Sequence, residues 1–276
     1  MYYRHDLDIK YPEKSDEHMI CVKRKRTVVL DENYPYVPKS AWFKFKRVIY
    51  WLLLNLIVFP LMLVTHGLKI YGKENLKKHK KELKNGAITI SNHVFMWDYL
   101  CVLKAIRPRL AFFPAWKDNL EGGFGGAIRL SGGVPIPTES HRAMIEFKKA
   151  MDGLFKQKKW VHFFPEGSLW FFYPDIRPFK KAVFKYAVKY DKPIIPISMS
   201  FRKRKGLLKL FGKTPMIDMH IGEPIFANKE LSIKEKEEDL HKRAYHLMQV
   251  QNGINKGDKT YNDNPFISQD EYKKTM

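Results

Sequence analysis

The longest apolar run in the chain is Val48–Val64, VIYWLLLNLIVFPLMLV, in which Asn55 is the one plainly polar position. Wound as a helix, these 17 residues rise about 25 Å, short of the ~30 Å of a hydrocarbon core. Pro60 lacks a backbone donor and predicts an interruption. Trp42, Phe43, Phe45, Tyr50 and Trp51 crowd the start of the run beside Lys44, Lys46 and Arg47, and Lys69, Lys73, Lys77, Lys78, Lys80 and Lys81 follow it. Cations on both flanks select no orientation. The pattern predicts a helical anchor over 41–68, a pair of helices broken at Pro60 and sunk into one leaflet. A single spanning helix and a buried core helix are the other readings it leaves open.

Past Lys84 the pattern changes. Four short apolar runs, Ala87–Ser91, Trp160–Phe164, Pro193–Ser200 and Met216–Ile221, predict buried strands. Helical spacing separates them: Met144, Phe147, Met151 and Leu154 share one face, as do Phe179, Val183, Tyr186 and Tyr190. A charged helix is predicted over Ser232–Gln249. Strands alternating with helices predict an α/β fold with a largely parallel central sheet covered by helices on both sides. The implied organisation is a polar N-terminal extension at 1–40, the anchor at 41–68, a globular domain at 69–250 and a polar tail at 251–276.

Composition narrows the partners. The 276 residues carry 50 basic and 29 acidic side chains, a net charge of +21. Such an excess expects an anionic partner: nucleic acid, an acidic membrane surface, an acidic carrier protein or a phosphorylated substrate. Lys77–Lys84 and Arg202–Lys205 would suit nucleic acid, but no reader motif accompanies them and the apolar run has no use there. Cys21 and Cys101 make a disulfide framework implausible and suit a reducing compartment. The early residues offer no apolar stretch of signal-peptide length.

Two constellations could carry chemistry. The predicted strand AITIS ends at Asn92-His93, and Asp98 lies five residues past the histidine. Carboxyl ends of strands are where ligands gather in open α/β sheets. On one ideal helix His93 and Asp98 would diverge by about 140°, so they meet only if His93 sits in a turn before the helix that carries Asp98. An aspartate that fixes the imidazole tautomer leaves the other ring nitrogen to take a proton from a hydroxyl. The second strand, Trp160–Phe164, stops at Pro165-Glu166-Gly167-Ser168, whose turn amides could face a phosphate or an oxyanion. Arg177-Pro178-Phe179-Lys180-Lys181 then places cations at a helix start. Ordinary strand-to-loop turns and a solvated basic face are the plainer readings.

Asn92-His93 with Asp98, followed by Phe164-Pro165-Glu166-Gly167, resembles the glycerolipid (lysophospholipid) acyltransferase family with its HxxxxD and FPEG motifs, most like the 1-acyl-glycerol-3-phosphate acyltransferases. Tyr71–Leu76, Lys117–Leu120, Gly132–Pro137, Arg177–Lys181 and Lys192–Ile197 resemble its other blocks in order. Thr138 stands where the family commonly has an arginine, with Arg142 the nearest cation, and Leu169-Trp170 follow Ser168 where another is frequent. The resemblance implies a glycerol-3-phosphate acyltransferase-like fold and transfer of a fatty acyl group to 1-acyl-glycerol-3-phosphate, giving phosphatidic acid. His93 would be the base and Asp98 its orienting partner. Asn92, Lys117, Glu166, Gly167, Ser168, Arg177 and Lys180 would bind substrate. The same chemistry on another lysolipid or lipid-linked acceptor is the alternative, and a silent membrane scaffold is the third reading. An acyl carrier protein or coenzyme A thioester would be the donor, with no cofactor or metal. The expected place is the cytoplasmic face of an anionic membrane, with no nucleic acid.

Overall fold

A computed structural model of the chain describes residues 4–15 and 17–253. Seven strands, β1 (Lys69–Tyr71), β2 (Ile88–Ser91), β3 (Ala111–Trp116), β4 (Gly133–Ile136), β5 (Trp160–Phe163), β6 (Ile194–Arg202) and β7 (Met216–Ile221), form one sheet in the order β1-β7-β6-β2-β5-β3-β4. Pairing is parallel throughout except between β6 and β7. The four strands legible as apolar runs are β2, β5, β6 and β7. The other three are short or interrupted: Pro114 lies in β3 and Pro135 in β4, residues that argue against strand in a sequence.

Helices α1 (Ala41–Leu53), α2 (Phe59–Thr65), α3 (Lys73–Lys78), α4 (Asp98–Ala105), α5 (Lys117–Glu121), α6 (Gly125–Ser131), α7 (His141–Lys156), α8 (Ala182–Lys189) and α9 (Ile233–Gln251) complete the described chain. On one face of the sheet, Phe147, Met151 and Leu154 of α7, Val183 and Phe184 of α8, and Leu240 and Met248 of α9 pack on Ile88, Ile90 and Ile194. On the other, Leu54, Phe59 and Met62 join α4 and the alternate positions Ile195, Ile197, Met199 and Phe201 of β6. Ser140 caps α7, and a Ser232–Glu235 capping box opens α9.

The predicted break at Pro60 is absent. Ala41–Thr65 is one 25-residue helix, long and apolar enough by length and composition to cross a membrane. A π turn at Leu54–Val58, in which Phe59 N–H bonds the Leu54 carbonyl, widens the helix just ahead of Pro60 and accommodates its ring. The amide of Asn55, the polar position in the run, donates to the Trp51 carbonyl at 2.7 Å. The helix lies along the domain, not apart from it. Arg47 stacks 4.4 Å over Phe112, the Ser131 hydroxyl donates to Tyr50 Oη at 3.1 Å, and Phe59 and Met62 are buried.

The described residues up to 40, expected as an extension, pack on the domain. Leu30 and Tyr36 are buried, and Arg129 donates to the carbonyls of Pro35 and Tyr36 at 2.6 and 2.8 Å. Residues 254–276, most of the expected tail, lie outside the described residues.

Inside the sheet, His162 is fully buried, with Nδ1 3.0 Å from Thr89 Oγ1 and Nε2 3.4 Å from Ser91 Oγ. Burial, with the charge of His93 second, pushes its pKa from 6.5 down to about 3. A histidine held neutral in the fold but charged when unfolded stabilises the protein above pH 6.5 and loses that contribution as pH falls from 6.5 toward 3. Between pH 7 and 5 the loss is about 2 kcal/mol from this residue. His162→Gln, which keeps both hydrogen-bonding ends, should flatten the acid limb of unfolding free energy against pH by that amount. An unchanged slope in denaturant titrations at the two pH values would refute this.

Candidate active site

β2 and β5 are parallel neighbours at the centre of the sheet, so their carboxyl ends deliver two loops side by side. The loop after β2 carries His93, and α4 opens on Asp98. His93 Nδ1 lies 2.7 Å from Asp98 Oδ2. That same oxygen accepts the backbone N–H groups of Val94 at 3.0 Å and Phe95 at 3.3 Å, as an acidic residue at a helix start does. The bend required by the five-residue spacing is therefore the turn that Asp98 itself caps. Phe164 stacks flat on the imidazole, with centroids 3.9 Å apart. Asp98 is sealed at 1% exposure while the His93 side chain keeps 23%, so the carboxylate is dry and the imidazole is reachable.

The FPEG loop lies behind this pair. Glu166 Oε2 accepts His93 N–H at 3.0 Å and Arg177 Nη2 at 2.8 Å, and its Oε1 accepts Arg177 N–H at 2.9 Å. Burial pushes the Glu166 carboxyl pKa up, and Arg177 with the two backbone donors pulls against it. Arg177 also donates to Ser168 Oγ and Ser15 O, each at 2.7 Å, and to the Ser168 carbonyl. A guanidinium thus stands beside the Glu-Gly-Ser turn although Leu169-Trp170, and not an arginine, directly follow Ser168.

Several expected substrate contacts take other roles. Asn92 is buried, and its side chain exchanges two hydrogen bonds with the Met199 backbone at 2.8 and 2.9 Å, fastening the start of the loop to β6. Glu166 holds the backbone of His93. Gly167 spends its amide on the Phe164 carbonyl at 3.1 Å, at a φ of +83° that favours glycine. Ser168 and Arg177 are buried, so neither presents to a headgroup. Lys117 pairs with Glu139 at 2.7 Å and Glu121 at 3.8 Å. Lys180 is exposed at the rim, its ammonium against Gly167.

The site also includes a segment that sequence reasoning missed. The N-terminal extension straps the rim: Ser168 Oγ donates to Ser15 O, Trp170 Nε1 donates to Glu17 O at 2.9 Å, Tyr11 Oη donates to Phe171 O at 3.0 Å, and Tyr11 stacks on Trp170. His18 stacks on Trp116 at 4.4 Å. Its pKa is pushed down first by desolvation and then by the charges of His93 and Lys180, with Asp118 opposing them. Most of these bonds end on backbone carbonyls, which have no signature in a sequence.

A buried ion pair that has lost one partner leaves an uncompensated charge, at a cost of about 3–5 kcal/mol. Arg177→Met should therefore lower the unfolding free energy by that order. A variant of full stability with only a raised acceptor KM would show instead that Arg177 is a ligand.

A family model described as Acyltransferase matches residues 67–200, the stretch that contains His93, Asp98, Glu166 and Arg177. No curated protein matches the chain in sequence. Among solved structures, the 1-acyl-sn-glycerophosphate (LPA) acyltransferase PlsC from Thermotoga maritima is similar in fold, with a TM-score of 0.50 and 20% identity over 82% of this chain and 88% of that one. Over residues 67–200, just under half of its length, the chain is therefore similar to the acyltransferase family.

Proposed function

We propose that the enzyme moves a fatty acyl group from an acyl thioester, carried by coenzyme A or an acyl carrier protein, to the free hydroxyl of 1-acyl-glycerol-3-phosphate, giving phosphatidic acid. The observation that carries this reading is the 2.7 Å contact between a partly exposed imidazole and a sealed carboxylate at the carboxyl rim. Asp98 accepts the Nδ1 proton, so Nε2 has the lone pair that takes the acceptor's hydroxyl proton. The freed oxygen attacks the thioester carbonyl, the carbon–sulfur bond breaks, and the imidazolium returns its proton to the departing thiolate. Donor and acceptor are both substrates, and the reading calls for no cofactor.

The family match supports acyl transfer, and the named substrate of the Thermotoga maritima enzyme, which shares the fold, supports the acceptor class. An acceptor drawn from a bilayer suits the exposed apolar helix Ala41–Thr65, and an anionic carrier or leaflet on the cytoplasmic face suits the +21 net charge. One observation favours a different lysolipid as acceptor: Arg177 is turned inward and Lys117 is tied to two glutamates, so neither offers its charge to a headgroup phosphate.

His93→Ala and Asp98→Asn should each lower kcat by about 10²–10⁴-fold in a folded protein. Lys180→Ala should raise the acceptor KM more than it lowers kcat. Incubation with a panel of lysolipids and labelled acyl thioesters, with products read by mass, tests the acceptor directly. Turnover retained by His93→Ala would remove the proposed base, and no acylated lysolipid from any pair would sink the reading.

A further inference from the structure

The connection between β6 and β7 carries a second apolar face. Gly206–Phe211, a single 3₁₀ segment of sequence GLLKLF, leaves Leu207 79%, Leu210 81% and Phe211 50% exposed. Three large apolar side chains offered to water by one short turn are a standing cost unless something covers them. The turn is firmly held. Buried Arg204 donates to Leu208 O at 3.0 Å, to Thr65 O at 2.7 Å and to the Thr214 carbonyl. One guanidinium thus clamps the turn to the last residue of the apolar helix, where Leu61 and Val64 are also exposed.

Charge surrounds these side chains. Lys203, Lys205, Lys209 and Lys213 are exposed, and no acidic residue lies between Lys203 and Ile217. Apolar side chains within a ring of ammonium groups match the boundary of an anionic leaflet, with acyl chains below and phosphates at the level of the lysines.

The placement also bears on the catalytic rim. β6 runs parallel to β2, with Ile197 opposite Ser91, and continues to Arg202. The turn therefore leaves the sheet on the same side as His93. The end of the helix touches that loop too, with His66 and Phe95 rings 4.6 Å apart.

We propose that Gly206–Phe211 is a second membrane-insertion point, seated in the interface of an anionic bilayer beside the helix Ala41–Thr65. The helix then lies in one leaflet, because a crossing would strip it from the domain it packs on. Two contacts, one along the helix and one at the turn, fix the tilt of the domain and bring the His93 rim to the lipid. The inference rests on the membrane reading of the helix and adds a site to it.

The test uses the full chain with Cys21→Ser, since Cys101 is buried. Leu210→Cys and, separately, Leu56→Cys on the exposed side of the helix carry an environment-sensitive fluorophore. Each is mixed with phosphatidylcholine vesicles, with and without phosphatidylglycerol, containing brominated acyl chains. Quenching of both reporters with anionic vesicles supports the proposal. Quenching at position 56 but not at 210 overturns it and leaves the helix reading standing, whereas quenching at neither removes both. A blue shift at 210 that follows protein concentration without lipid would make the turn a contact between copies, and also overturns the proposal. In unlabelled protein, Leu207→Ser with Leu210→Ser and Phe211→Ser should weaken anionic-vesicle binding by about tenfold or more with circular dichroism unchanged.

Discussion

A reactive imidazole carried on a loop keeps its place only if the loop cannot move, and here a single buried carboxylate supplies that restraint. Glu166 receives the backbone N–H of His93 on one side and the backbone and guanidinium of Arg177 on the other. It links the loop after β2 to the loop after β5 and to the segment that leads into α8. Asn92 adds the tie to β6, so the start of the His93 loop is held to the strands on both sides of β2. Asp98 closes the turn and orients the imidazole. The carboxylates of Glu166 and Asp98 and the amide of Asn92 are all buried, where an unmatched partner is costly, so the set holds together or fails together.

The same restraint explains why residues of headgroup-reading type are found inside. Arg177 cannot both neutralise Glu166 and meet a phosphate, since its two terminal nitrogens already serve Glu166, Ser168 and Ser15. The N-terminal strap completes the enclosure and brings His18 and Tyr11 to the rim, which makes Tyr11, Ser15, Glu17 and His18 part of the site's wall. Cations still define the approach, with Lys180 on the rim and a wide excess of positive charge around it.

The apolar helix and the His93–Asp98 pair share one geometric frame. The apolar helix packs on the face of the sheet that also holds α4, the helix that presents Asp98. His66, just past the helix, meets Phe95 of the His93 loop, so the helix and the carboxyl rim are held in a fixed relation. The π turn ahead of Pro60 keeps the helix in one piece, so the exposed apolar residues form a continuous strip.

Side-chain pattern alone determined the α/β architecture, four of the seven strands, the long amphipathic helices, the apolar helix and the His93–Asp98 pairing. Each of these depends on periodic burial or on a short motif, and both are written in residue identity. Tertiary structure decided the rest. Strands β1, β3 and β4 owe their place to neighbours, because two of them contain proline and β1 is largely exposed. Whether Glu166 and Arg177 face substrate or each other depends on which loop packs behind which. The strap is held through the carbonyls of Ser15 and Glu17, groups that every residue possesses, so nothing in the sequence distinguishes the residues that use them.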